Sequence, residues 1–293
     1  MTQLLINALI AGSFAALMAS GLALVYGTLG VFNMALGQTA LMGGYVTWWA
    51  STSLGLSFPI ALLIGMVAAG FVTWLSFEFF VEPFFRRHRF LPLVTTIALS
   101  MILDGAILLL FEERPRSIQF LNAEPVTIAG ATLSLEQIVL IICTLIFLSL
   151  TAWVLTATSL GRKIRATVLH AHAAESLGIP SGLLYRITFI LSGVLAGLAG
   201  VYQGIDQNLT PVLGFSITIK AYAAVIAGGK GSLKGAVIAA YAIALLEQLV
   251  IGVPWFAGTY ISAGYQSTVA MVVIIAFLLF RPQGLFGSTT RST

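Results

Sequence analysis

No acidic or basic side chain occurs before Glu78, so the first 77 residues cannot furnish a water-soluble surface. Over the whole 293 residues only 8% are charged, whereas soluble domains carry roughly 25%. Mean hydropathy is +1.02 and 59% of residues are hydrophobic. This scarcity of charge excludes a soluble globular domain and predicts an all-α polytopic membrane protein. Cysteine is nearly absent as well. The single Cys143 excludes an internal disulfide and any multi-cysteine metal site, and its apolar surroundings predict a small buried hydrophobe. The leading stretch MTQLLINALIAGSF lacks a basic leader, so the first segment is expected to stay in the membrane rather than be removed as a signal peptide.

Catalytic and nucleotide motifs are also missing. "AGGKGS" resembles a phosphate loop, but Lys230 is followed by Gly231 and the position five before Gly229 is Ala224, so GxxxxGK[ST] is not met. His170 and His172 lie about 200° apart on a helix, which disfavours a shared metal. Neither GxSxG nor HExxH occurs. No catalytic residue, metal or resident cofactor is therefore expected, and the chain does not read as an enzyme.

What is present is a succession of apolar segments long enough to span ~30 Å of hydrocarbon at ~1.5 Å per residue. They are predicted at 5–28, 35–51, 57–81, 92–111, 135–157, 186–207, 235–252 and 265–281. A shorter run, 214–228, is either a ninth crossing or a re-entrant helix, giving about eight to nine transmembrane helices in one domain, 1–293. If 214–228 crosses, Arg86, Arg87, Arg89, Arg162, Lys163, Arg165, Arg186, Lys230, Lys234, Arg281 and Arg291 share one face, against Arg114 and Arg116 opposite. Basic residues favour the cytoplasmic side, which puts the N-terminus outside and the C-terminus inside. The outward loop 112–134 offers a hairpin-like alternation in "VTIAGATLS" around Gly130.

Glycine interrupts "VYGTLGVFNMALGQTALMGGY", where Asn33, Gln38 and Thr39 lie among Gly27, Gly30, Gly37, Gly43 and Gly44. This predicts close helix contact or a broken helix lining a protected cavity. In "SGVLAGLAGVYQG", Gly193, Gly197, Gly200 and Gly204 fall on one helix face and predict tight packing. A similar order of Gly-rich helix, polar break and Gly-rich helix in 20–45 and 193–230 hints at a repeated half-unit.

Ionisable groups at membrane depth are costly, which makes Asp104, Lys220 and Glu247 candidates for function; a structural pair of Lys220 with Asp104 or Glu247 is the plainer alternative. Asp206 closes the glycine-rich helix. Glu78 and Glu82 are expected to pair at the inner boundary with Arg86, Arg87 and Arg89. For a substrate pathway, depth, polarity and helix breaks nominate Tyr26, Asn33, Gln38 and Thr95, with Asn208 weaker, each of which could instead serve interhelical hydrogen bonding.

The insert "SLGRKIRATVLHAHAAESLGIP", 159–180, is polar and lies on the basic face. Ile164, Val168 and Ala171 recur at helical spacing opposite Arg162, Arg165 and His172, predicting a short amphipathic helix that Gly178 caps and Pro180 stops. Its small residues suit a protein groove better than lipid headgroups.

Four stretches together resemble the branched-chain amino acid ABC permeases of the LivH type: "GLALVYGTLGVFNMALGQTALMGGY", "GRKIRATVLHAHAAESLGIPSGLLYRITFILSGVLAGLAGVYQG", "KAYAAVIAGGKGSLKGAVIAA" and "FRPQGLFG". The resemblance covers most of the chain and implies an ABC importer permease fold. It further implies that 158–186 is a cytoplasmic coupling region whose Ala173, Ala174, Glu175, Ser176, Leu177, Gly178 and Ile179, with Arg162 and Arg165, dock on an ATPase. "AAESLG" looks like a version of the EAA motif. The implied partners are a second LivM-like permease subunit, two ATP-binding subunits that consume the ATP, and a periplasmic substrate-binding protein, alongside membrane lipid and without nucleic acid. The implied setting is the bacterial inner membrane. "LHAHAAES" and the basic "GGKGSLKG" depart from the usual pattern. Urea or small organic acids are alternative cargoes, and an ion-coupled secondary transporter, a channel or a non-transport scaffold are the competing classes.

Overall fold

The structure, a computed structural model, describes residues 2–85, 87–88, 90–121, 126–128, 130–229, 231–252, 262, 265–281 and 283–286. Of the basic residues used above to orient the chain, Arg86, Arg89, Lys230 and Arg291 lie outside these. The elements are α1 (Thr2–Leu29), α2 (Leu36–Thr52), α3 (Phe58–Ser76), a π turn (Phe77–Val81), α4 (Glu82–Phe85), α5 (Leu91–Phe111), β1 (Val126–Ile128), β2 (Ala131–Leu133) and α6 (Leu135–Ala157). They continue with α7 (Ser159–Leu169), α8 (Ala171–Ser176), α9 (Ser181–Asp206), α10 (Leu213–Gly228), α11 (Leu233–Gly252) and α12 (Gln266–Phe280). Thr2–Leu29, Phe58–Phe85, Leu91–Phe111, Leu135–Ala157, Ser181–Asp206 and Leu233–Gly252 are long and apolar enough to cross a membrane. The remaining predicted spans correspond to the shorter α2, α10 and α12.

Chain direction decides how 214–228 runs. Gly252 meets Leu4 and Gly12 meets Tyr241, so α11 is antiparallel to α1. Gly21 meets Ser192, and Phe14 lies 6.3 Å from the Tyr202 ring, so α9 is antiparallel to α1 too. Two parallel helices in succession require the chain between them to return, and α10 makes that return. It crosses, with a length of ~24 Å for 16 residues. The face holding the end of α1 then also holds Arg87, Arg162, Lys163, Arg165, Arg186, Lys234 and Arg281, while Arg114 and Arg116 lie at the face where α1 begins.

Helices α1 and α9 form the centre, with 78% and 67% of their most apolar windows buried, whereas α6 has 11% and sits at the periphery. Glycine makes the centre possible. A Cβ on Gly43 would stand 2.7 Å from Gly197 Cα, and one on Gly44 2.6 Å from the Gly200 carbonyl oxygen. Gly193 and Gly197 face Ala69 of α3, and Gly204 faces Ile118. The predicted glycine face of α9 is thus a seam against α2 and α3, where backbones approach because no side chain intervenes.

At the starting face, Arg116 and Leu209 exchange backbone hydrogen bonds of 3.1 and 2.7 Å. Glu136 accepts from the Phe120 and Leu121 amides at 2.8 and 2.9 Å, and Arg116 stacks 4.6 Å over Trp48. The loop 112–121 is thereby pinned, and the hairpin expected around Gly130 forms, with Gly130 at φ +80°.

Substituting Gly200 by Ala drives a methyl group into the Ala40 carbonyl, where neither backbone can yield. The expected loss is about 2–3 kcal/mol, read as a lower melting temperature in detergent. Gly182→Ala, with nothing within 4 Å, should match or slightly exceed the parent.

Candidate functional site

The first candidate region is the break between α1 and α2. Gly30 has φ +68° and ends α1. The Cβ that Gly21 lacks would lie 3.4 Å from the Leu36 side chain. Gly21 precedes the end of α1 by eight residues, so α2 begins ~12 Å inside that face. A helix start at membrane depth needs partners for its free amides. Asn33 Oδ1 accepts from Ala35 N at 3.1 Å, Thr96 Oγ1 from Met34 N at 3.2 Å, and Thr218 Oγ1 from Gly37 N at 2.9 Å. The Tyr26 ring lies 4.6 Å from that of Phe32, tilted by 33°, and Phe32 meets Tyr222 edge-on at 5.0 Å.

Unmet polar atoms cluster here. Gln38 is fully buried, wedged against Gly214, and Asp104 of α5 neighbours it. Asn33 Nδ2 has no hydrogen-bond partner among the described residues, and the Gln38 amide has only the neighbouring Asp104 carboxylate, at more than close hydrogen-bond range. Such groups in a low-dielectric interior are free to meet a ligand or water.

The structure therefore places Tyr26, Asn33 and Gln38 at or beside this break, with Asp104 next to Gln38. It does not bring Thr95 or Asn208 to them. Thr95 donates to the Phe80 carbonyl, freed by the π turn, and Asn208 sits exposed at φ +83° in the turn before α10. Sequence reasoning missed Thr96 and Thr218. Thr96 shares a helix face with buried Pro92, Leu99 and Leu103, a spacing that could have revealed it.

The second region is the insert, where one correction arises. A single helix was expected; the chain instead breaks at His170, with φ −152° and ψ 96°, into α7 and α8. The buried side of α7 is Gly161, Ile164 and Thr167, while Val168 is 47% exposed, so Ile164, Val168 and Ala171 do not form its packing stripe. Gly161 explains the rotation, since it presses on the Leu155 carbonyl and turns that side of α7 inward. Gly178 does cap α8. At φ +79° it donates to Glu175 O at 2.9 Å, and Ile179 donates to Ala174 O at 3.0 Å, a complete Schellman closure.

Within the insert, Arg165 donates to Leu155 O and Arg162 to Ala157 O at 3.4 Å, capping the negative end of α6. Glu175 accepts from Ser181 at the start of α9, where the helix dipole favours a carboxylate. Leu177 is 82% exposed. Beside the insert, Glu78 and Glu82 both pair with Arg186 of α9, at 3.0 and 3.3 Å; of the nearby arginines expected to pair with them, Arg86 and Arg89 lie outside the described residues.

The third region holds the charged residues at depth. Lys220 pairs with Glu247 at 3.1 Å, and Asp104 joins no ion pair among the described residues. Asp206 accepts from Gln137 at 3.2 Å. No group of three or more His, Cys, Asp or Glu among the described residues is arranged to hold a metal.

Comparison with known proteins adds an independent observation. Residues 4–279 match the family described as "Branched-chain amino acid transport system / permease component". The chain is similar to the "High-affinity branched-chain amino acid transport system permease protein BraD" of Pseudomonas aeruginosa, at 30% identity over 97% of this chain and 95% of the relative. It is similar to the corresponding LivH protein of Escherichia coli at 27% identity over 97% and 95%. The "Autoinducer 2 import system permease protein LsrC" of Yersinia pestis is 26% identical over 79% of this chain and 63% of the relative.

Removing the cation shared by Glu78 and Glu82 tests its weight. Arg186→Ala takes away the ion pairs it makes with both partly exposed carboxylates, with an expected loss of about 1–2 kcal/mol, between surface and buried pairs. Thermal unfolding of the variant in detergent measures it, and Arg186→Lys should recover only part.

Proposed function

The chain belongs to the branched-chain amino acid transport system permease family, and on that premise we propose that it is the membrane-spanning subunit of an ATP-driven importer of branched-chain or related amino acids. The observation that carries this reading is the family match along residues 4–279, which runs from the first helix into the last. The basic face would lie in the cytoplasm and the loop 112–134 in the periplasm, leaving the N-terminus outside and the C-terminus inside, in a bacterial inner membrane.

Energy would come from outside the chain, since it carries no ATP motif. Two ATP-binding subunits would dock on the insert, a second LivM-like permease would complete the membrane portion, and a periplasmic binding protein would deliver the cargo. The insert suits that role through its two sides. Ala174 is buried and the Schellman turn locks Gly178, while Ala173, Glu175, Ser176 and Leu177 face outward. Arg162 and Arg165 are occupied by α6, so their part is to hold the insert to the spans. Force on Leu177 would pass through Glu175 and Ser181 to α9, then through Arg186 to Glu78 and Glu82 beside α3. Residues 158–186 thus form one coupling region within a single permease domain.

Along the pathway, Asn33 and Gln38 at the broken α1–α2 junction are the groups proposed to meet cargo. Their unmet amide atoms support this.

Leu177→Asp, at an exposed position, should leave the amount of permease in the membrane unchanged and lower leucine uptake by about ten-fold or more, as expected for loss of an interface anchor. Undiminished uptake would sink the coupling role. For the pathway, Asn33→Ala should alter the KM for leucine or the preference among leucine, isoleucine and valine; identical values for all three would remove Asn33 from it.

A further inference from the structure

A cavity of about 150 Å³ opens between α1, α9, α10 and α11 in the half of the protein where α1 begins. A protein cavity of about that size admits benzene, so this is room for a small molecule and not for single waters alone. Its lining divides by chemistry. Phe14, Met18 and Ile243 supply an apolar wall, and Asp206, Lys220 and Glu247 supply three ionisable groups from three helices.

The charges are arranged, not scattered. Lys220 Nζ stands 3.1 Å from Glu247 Oε1, with the Glu247 side chain 12% exposed and that of Lys220 39%, so the lysine side chain is the more accessible of the two. Asp206 is held by Gln137 of α6 while its side chain lines the cavity. An ion pair within a span is no more stabilising than apolar residues of equal volume, so packing gives no reason for these residues here. The lining sets two acidic side chains against one basic, so acceptor oxygens outnumber cationic donors.

We propose that the juxtaposition of Asp206, Lys220 and Glu247 with the Phe14, Met18 and Ile243 wall forms a docking site for a small zwitterion with an aliphatic tail, its carboxylate on Lys220 and its ammonium on the two acids. The choice of an α-amino acid as the zwitterion rests on the transport reading above. The ligand ammonium supplies further donors to the two acids, and Lys220 shares its own between Glu247 and the ligand carboxylate. A molecule lacking either charged end leaves a group of the site unpaired and is discriminated against.

The test uses the assembled transporter in membrane vesicles, with Ser216→Cys as a reporter at the exposed edge of the cavity in a Cys143→Ala background. Gln207→Cys is the second reporter should the first fail to assemble. L-leucine at millimolar concentration should slow modification by a methanethiosulfonate reagent at least about ten-fold. 4-Methylpentanoate and 3-methylbutylamine should slow it less than about two-fold. Asp206→Asn and Lys220→Met should each abolish protection, and the exchanged pair K220E/E247K should assemble normally yet give none, since it places a carboxylate at the accessible position. Absence of protection in the parent, or protection that survives Asp206→Asn or the exchanged pair, overturns the site. Leucine uptake in the same vesicles separates the two ideas: protection without uptake sinks the transport reading alone, and uptake without protection sinks the site alone.

Discussion

Close backbone approach along the glycine seam of α9 is the contact on which the rest of the structure depends. Gly193, Gly197 and Gly200 bring α2 and α3 against α9 at separations that any side chain would prevent. In a membrane no hydrophobic force gathers helices, so association rests on such packing and on hydrogen bonds between them. With the seam closed, Tyr45 reaches the Leu209 carbonyl at 3.1 Å, and the turn between α9 and α10 is tied to the loop from Arg116. The face where α1 begins is thereby organised from the interior outward.

The seam also sets the depth at which α2 starts. Because α2 is held against Gly197 and Gly200, its first turn falls inside the protein, and the preceding residues 31–33 cross the interior outside any helix. Threonines from α5 and α10 meet the freed amides, leaving Asn33 and Gln38 with atoms unspent. At the opposite end of α9 the same helix receives Glu175 at its first residue and presents Arg186 to Glu78 and Glu82. One helix therefore joins the exposed insert, the broken junction and the charged cavity, which suits an element that relays motion between faces.

Much of the helical architecture was legible in sequence. Spans can be read because hydrocarbon thickness imposes a length and the absence of water imposes an internally bonded helix, both local constraints. Gly178 was legible as a cap for the same reason, since the Schellman closure involves only neighbouring residues. The insert was less so: the apolar spacing of Ile164, Val168 and Ala171 suggests one helix, and only the contact of Gly161 with Leu155 shows that another side is buried. The pairing of Glu78 and Glu82 with Arg186 was not legible, because that arginine lies more than a hundred positions away in the chain.

What the sequence by itself determined is the membrane setting, the helix lengths, the asymmetry of charge and the family, since each follows from composition or from residues close together. The tertiary structure alone decided that α10 crosses, that Lys220 takes Glu247 and not Asp104, and that Thr96 and Thr218 support the broken helix. Those outcomes depend on pairs far apart in the chain, 62 positions for Met34 and Thr96 and 181 for Gly37 and Thr218. Local periodicity holds no record of such distances, and only the packing of helices across the glycine seam brings those partners within reach.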